Sequence, residues 1–234
     1  MPVPLNAFVD IVKVWFTEKL DYLANDSVPV KPSHEGAKAA TPSDIDLICK
    51  YPKEKCRSVD FESRRTVNLC PNLLMECKGW FDYTKPSFAK HLHANLNLLN
   101  KYGGNFLPQS LPRKSRDHFF FFREEVFKKG VEIFGSKKFQ RVIIGPFLVE
   151  PKGDSRLLVE LITQYDKCGI VVIEMRDILA DLFGFIHIAK ERKRKGDSRD
   201  ADKLRKTYTL ELLHLVDTYM EIKPKVEKCK QTHG

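Results

Sequence analysis

No run in this sequence approaches the roughly 18 apolar residues that a membrane-crossing helix needs. The longest apolar stretches, around Val142–Val149 and Leu182–Ala189, fall well short. The first apolar segment is broken by Asp10 and Lys13 and has neither a basic leader nor a small-residue cleavage site, so it does not read as a secretion signal. These absences predict an intracellular protein, cytoplasmic or nucleoid-associated, with no membrane partner. C-x-x-C pairs are missing as well. Cys49, Cys56, Cys70, Cys77, Cys168 and Cys229 stand apart, which argues against a structural zinc site and for reduced, structural or incidental thiols. There is no P-loop and no dinucleotide-binding glycine pattern, so ATP-driven and dehydrogenase chemistry are set aside. With only 12 Gly and 13 Pro in 234 residues, and 42% of the chain hydrophobic, neither a disordered chain nor a collagen-like one fits.

What is present is a surplus of positive charge. Forty Lys and Arg stand against 31 Asp and Glu, a net charge of +9 that favours polyanionic partners without identifying one. The surplus is concentrated in His187–Thr209, where nine Lys or Arg face four acids. Lys190, Arg192, Lys193, Arg194 and Lys195 lead this run and are candidates for phosphate contacts, which add affinity without base specificity. A solvated helix and loop explains the same run equally well.

Hydrophobic spacing sets out the elements. Phe8, Ile11, Val12, Trp15, Phe16, Leu20 and Leu23 recur at three- and four-residue steps and predict a helix over 5–23. The polar stretch that follows holds a loop or an irregular edge strand around Val28–Lys31. Asp44–Cys49 and Asn72–Trp80 read as strands, and the charged segment Lys50–Arg65 between them reads as a protruding loop or hairpin tip. Helices are predicted from Phe88 to Leu99 and from Asp117 to Phe134. Strand-like Arg141–Val149 and Gly169–Met175 bracket a helix at Ser155–Tyr165, and another helix runs over Asp177–Ile188. This βαβα succession implies parallel strands and an α/β sheet. A last helix is expected at Leu204–Ile222. Residues 1–190 form one domain in this reading, with 191–234 a basic segment and helix packed on it or extending it.

Strand alternation gathers the chemistry. Asp44 and Asp46 share one face of their strand, and Glu76 and Lys78 share one face of theirs. Each lies beside apolar sequence, where carboxylates resist desolvation only if positive charge compensates them. A divalent cation with a lysine beside it would do so, and hard Mg²⁺ or Mn²⁺ held by oxygen suits phosphodiester hydrolysis. The carbonyl of Cys77, which faces the other way, could be a further ligand. The bland alternative is an ion pair between Glu76 and Lys78 at a strand end, with the aspartates capping a turn.

The texts Ser43-Asp44-Ile45-Asp46-Leu47-Ile48 and Leu73-Leu74-Met75-Glu76-Cys77-Lys78 resemble the PD-(D/E)XK nuclease superfamily. That pattern is an acidic residue on one strand and E-x-K on the next. E-x-K occurs four times here, from Glu76, Glu150, Glu191 and Glu221, and only Glu76 has an acidic strand upstream. The resemblance implies an α/β fold with a restriction-endonuclease-like αβββαβ core, a central mixed sheet flanked by helices, and extra C-terminal helices. It implies a Mg²⁺-dependent DNA endonuclease, with Mn²⁺ substituting. Asp46 and Glu76 would bind metal, Lys78 would assist the attacking water, and Asp44 and Glu18 would stand in support. DNA is the implied partner and RNA the alternative substrate. A homodimer suits cleavage of two strands, and a monomer that nicks one fits the same text. Trp80 could stack on bases and Lys90 could approach the substrate, with core packing as the competing role for Trp80. The competing function is a noncatalytic nucleic-acid-binding or assembly protein on the same fold.

Overall fold

A computed structural model gives the fold and describes residues 5–30, 43–61, 63, 65–78, 87–102, 122–145, 155–197, 202–204 and 207–218. Helix α1, Leu5–Val14, continues into a π-helical turn at Trp15–Lys19, and its apolar stripe buries Phe8, Val12, Trp15 and Phe16. The turn closes with Leu20 N–H donating to the Trp15 carbonyl and Tyr22 N–H to that of Phe16. Strands β1 (Leu23–Val30), β2 (Ser43–Lys50), β3 (Arg57–Asp60), β4 (Thr66–Leu69) and β5 (Asn72–Cys77) follow. Next come α2 (Ser87–Lys101), α3 (Glu124–Phe134), β6 (Gln140–Gly145), α4 (Ser155–Lys167), β7 (Ile170–Glu174) and α5 (Met175–Arg194). A helix over 208–218, α6, is the last described element.

Five strands form one mixed sheet in the order β1-β2-β5-β6-β7. β1–β2 and β2–β5 are antiparallel, while β5–β6 and β6–β7 are parallel. The parallel strands carry unbroken buried runs, Leu73-Leu74-Met75, Val142-Ile143-Ile144 and Ile170–Ile173, because helices cover both faces there. On one face α1, its π turn and α5 pack Phe8, Val12, Trp15, Leu182 and Ile186 against Leu47, Met75 and Ile173. On the other, α2, α3 and α4 pack Leu92, Val126, Leu161 and Tyr165 against Ile48, Leu74, Ile143 and Val172. The expected α/β class with a mixed central sheet flanked by helices is therefore observed. Among the described residues no helix is long and apolar enough to cross a membrane.

Several sequence boundaries shift. β1 is a full edge strand with Pro29 in it, as its missing N–H permits at an edge. Of the two readings of the segment before β5, a protruding loop or a hairpin tip, the structure has the hairpin, and it does not protrude: β3 and β4 pair, and Val59, Phe61, Val67 and Leu69 enter the core beside Trp15. Two arginines tie it down. Arg57 donates to the carbonyls of Leu20 (2.6 Å) and Lys19 (3.3 Å), and Arg65 donates to the Val172 carbonyl on strand β7. α3 starts later than its apolar pattern suggests, because Arg123 before it is extended (φ −83°, ψ 155°). Within the Phe119–Phe122 run only Phe122 lies in the described residues, where it is buried beside Tyr165. α5 runs on through Arg194, well into the charged run, and Gly196 takes the left-handed conformation just beyond it (φ 88°). The strand residues expected at 79–80 and 146–149 and the helical ones at 117–121 and 219–222 lie outside the described set.

Close packing behind β5 rests on a glycine. A Cβ on Gly130 of α3 would stand 2.6 Å from the Phe139 ring and 2.8 Å from Cδ1 of Leu74. Leu74 is two residues from Glu76 and wholly buried. Gly130→Val should therefore cost about 2 kcal/mol through overpacking. The measurement is the urea midpoint at constant m value, and an unchanged midpoint would contradict this packing.

Candidate functional site

The site is built where the β2–β5 ladder ends. Paired residues run from Lys50↔Asn72 to Leu47↔Met75, which sets Asp46 against Glu76 on the following rung. There the backbone pairing is replaced: the Cys77 N–H donates to Oδ2 of Asp46 at 2.6 Å. A side chain thus accepts the bond that a ladder carbonyl would otherwise take, and the carboxylate is drawn into the sheet edge. Alternation does the rest. Met75 and Cys77 turn to the α1 side, so Glu76 and Lys78 turn to the side of α2 together with Leu74.

Glu76 is 6% exposed, and the Lys78 ammonium sits on its Oε1. Burial pushes the Glu76 carboxyl up to about 7, Lys78 pulls it down, and the Asp46 charge raises it further. The lysine therefore does not fully offset burial and the neighbouring carboxylate. The Cys77 thiol is buried on the opposite face, and that burial holds it well above its ordinary value. Only its backbone belongs to the site. The location is the C-terminal edge of the parallel strands, the end of an open α/β sheet at which ligands ordinarily bind.

Sequence reasoning expected Asp46, Glu76, Cys77 and Lys78 together, and the structure brings these four together. Asp44 lies on the same strand, two residues earlier, and its side chain is outside the described set. Glu18 is not brought in. It belongs to the π turn that leads into β1, whose first residue Leu23 aligns with Lys50 and Asn72 at the opposite edge of the sheet. It also lies in the helical layer facing away from Glu76. Sequence periodicity assigned it to the leading helix but could not show which end of that helix meets the site.

The basic run is also distant. α5 leaves the sheet at Met175 next to β7 and carries Lys193 about 27 Å along its axis. Lys190 is paired with Asp217 of α6 at 2.5 Å, while Arg192, Lys193, Arg194 and Lys195 are exposed at the helix end. Trp80 lies outside the described residues, as does the side chain of Lys90 on α2.

The donors fit a hard divalent ion. Among the described residues no cluster of three or more His, Cys, Asp or Glu side chains is assembled. Mg²⁺ characteristically uses one or two carboxylates and keeps several waters, and Asp46, Glu76 and a backbone carbonyl match that oxygen-donor chemistry. The Glu76 carboxyl is raised mainly by its burial, with the Asp46 charge adding to it and Lys78 opposing both. Comparison with known proteins finds no matching family model, no matching curated protein and no matching solved structure.

The proton on Glu76 couples to folding. The folded chain binds it more tightly than the unfolded chain, so this contribution to stability is full below the ordinary value of 4.5 and is lost as pH rises through about 7. In the presence of a chelator, Glu76→Gln should match the parent at low pH and exceed its stability near pH 8 by on the order of 2–3 kcal/mol. Urea titrations across pH measure this. A difference that does not grow with pH would contradict the buried carboxyl.

Proposed function

We propose that this chain is a divalent-metal-dependent nuclease of the PD-(D/E)XK type that hydrolyses DNA phosphodiester bonds. The observation that carries the reading is the shared rung of Asp46 and Glu76, with Lys78 on the same face at the C-terminal edge of the parallel strands. The element order supports it. α1, β1, β2, β5, the α2–α3 layer and β6 follow the αβββαβ order of the restriction-endonuclease-like core, and the β3–β4 hairpin is an insertion between its second and third strands.

In this reading Asp46, Glu76 and the Cys77 carbonyl hold Mg²⁺ or Mn²⁺, which would supply Lewis-acid chemistry that acidifies water and neutralises charge on the phosphate. The chain's own groups supply position. Asp46, anchored on the Cys77 N–H, fixes the spacing of the two strands at the reacting edge. Glu76 is held rigidly because its neighbours on both sides, Met75 and Cys77, are locked in the core. Lys78 follows the last strand residue and is about one-fifth exposed, so its ammonium faces both the carboxylate and the solvent from which water and phosphate arrive. A positive charge fixed there orients the attacking water and stabilises the anionic phosphorane-like transition state. The exposed cations at the end of α5 are too far off to take part in chemistry. They provide a separate phosphate contact further along a nucleic acid.

Supercoiled, linear, branched and single-stranded DNA incubated with Mn²⁺, Mg²⁺ or chelator tests this reading. Asp46→Ala and Glu76→Ala should abolish metal-dependent cleavage without loss of fold, and Lys78→Ala should slow it about 10²- to 10³-fold. Cleavage at the parental rate by both carboxylate variants would reject these roles. Salt-sensitive DNA binding without cleavage in either metal would replace the enzyme with a noncatalytic binding protein.

A further inference from the structure

We propose that Cys56 and Cys70 form a redox-active dithiol whose disulfide staples the base of the β3–β4 hairpin. The two residues are far apart in sequence and fit no redox motif, but the hairpin register places them opposite each other. β3 and β4 pair as Arg57↔Leu69, Ser58↔Asn68, Val59↔Val67 and Asp60↔Thr66, so the next rung outward is Cys56 against Cys70. The Phe61 N–H donates to the Arg65 carbonyl, which makes that inner rung a hydrogen-bonded one. Rungs alternate, and Cys56 and Cys70 therefore occupy a non-hydrogen-bonded rung, where opposed Cα atoms lie about 4.5 Å apart and side chains come closest. That separation lies within the range a disulfide spans.

The hydrogen bonds of Cys70 agree. Its N–H donates to Oε1 of Gln140 and its carbonyl accepts from the Tyr22 hydroxyl, both at 3.0 Å, so its backbone is engaged away from Cys56. The side chains meet instead, with the Sγ atoms 3.5 Å apart. Both sulfurs are free thiols, Cys56 exposed and Cys70 partly covered. Exposure makes Cys56 the entry point. Burial first, and then the hydrogen bond and charge of Cys56, push the Cys70 thiol up to about 11.

Bond formation needs an oxidant, and a small disulfide such as oxidised glutathione supplies it. The Cys56 thiolate attacks one sulfur of that disulfide, forms a mixed disulfide and releases one glutathione thiolate. The Cys70 thiolate then attacks the Cys56 sulfur and releases the second. Two protein thiols are oxidised, one external disulfide is reduced to two thiols, and the two protons pass from the cysteines to glutathione. The product closes the hairpin that anchors Arg57 to the π turn and Arg65 to the β7 edge. Oxidation thereby strengthens the hold of this insertion on the helical layer beneath the sheet.

Equilibration of the full chain in reduced and oxidised glutathione, alkylation of remaining thiols and peptide mapping test the proposal. The expected result is the loss of two hydrogens, a Cys56–Cys70 linked peptide, and a Tm rise of about 5–10 °C. Cys70→Ser should accumulate the glutathione mixed disulfide at Cys56, and Cys56→Ser should show neither the bond nor the rise. Alkylation of both thiols after treatment with excess oxidised glutathione overturns the proposal. A Cys56–Cys70 bond that leaves Tm unchanged overturns the stapling role. Neither result bears on the nuclease reading, because the serine variants leave Asp46, Glu76 and Lys78 in place.

Discussion

The hydrogen bond from the Cys77 amide to the Asp46 carboxylate is the constraint on which the rest of the site depends. It ends the β2–β5 ladder with a side chain in place of a carbonyl and so fixes a charged group at a point where the sheet is otherwise sealed by hydrocarbon. The placement of its neighbours comes from the core beneath. Glu76 falls opposite Asp46 because register is set by the buried pairs below, Leu47 with Met75 and Ile48 with Leu74. A slip of one residue would turn all of these side chains to the other face. The apolar core thus specifies the polar edge, and the acids themselves contribute little to choosing the register.

The two helical layers divide the labour. The layer of α1, α5 and the hairpin is held by aromatic packing, with Trp15 stacked on Phe61 at 5.8 Å, and by directional polar ties such as the Trp15 indole to Asp181 at 2.8 Å. The opposite layer meets the acidic face and is built from α2, α3 and α4, which follow β5 and β6 in the chain. The acids therefore project toward the α2–α4 layer at the C-terminal edge of the parallel strands, while the layer of α1, α5 and the hairpin supports the sheet on its other face.

Much of this was legible in the residues, for identifiable reasons. Burial in a strand or helix leaves a periodic trace, so α1, β2, β5, β6, α4 and β7 could be placed, and alternation was enough to set Glu76 with Lys78 on one face. Interactions with the backbone leave no such trace. Arg57 and Arg65 fell in the charged segment read as a protruding loop or hairpin tip, and their ties could not be foreseen because their partners are the carbonyls of Leu20, Lys19 and Val172, which any residue type could present. Glu18 failed for a different reason. Its helix was readable, but the direction of that helix relative to the sheet is set by the short link into β1. Lys190 was grouped with its basic neighbours, and its partner Asp217 lies on a separate helix. The pairing of Cys56 with Cys70 depended on the hairpin register, which only the fold supplies.

The hairpin lies between the two strands that carry the acidic rung, and this bears on how the chain reaches its native form. β3 and β4 are joined by a short turn and can associate through local contacts alone, on a timescale of about 1–10 μs. Once they have done so, the ends of β2 and β5 are already close, and the loop-closure entropy opposing their union falls. β6 must still find β5 across a long intervening segment that includes α2 and α3, a search of much higher contact order. The acidic rung should therefore assemble early, on an antiparallel meander, before the parallel half of the sheet arrives to bury Glu76.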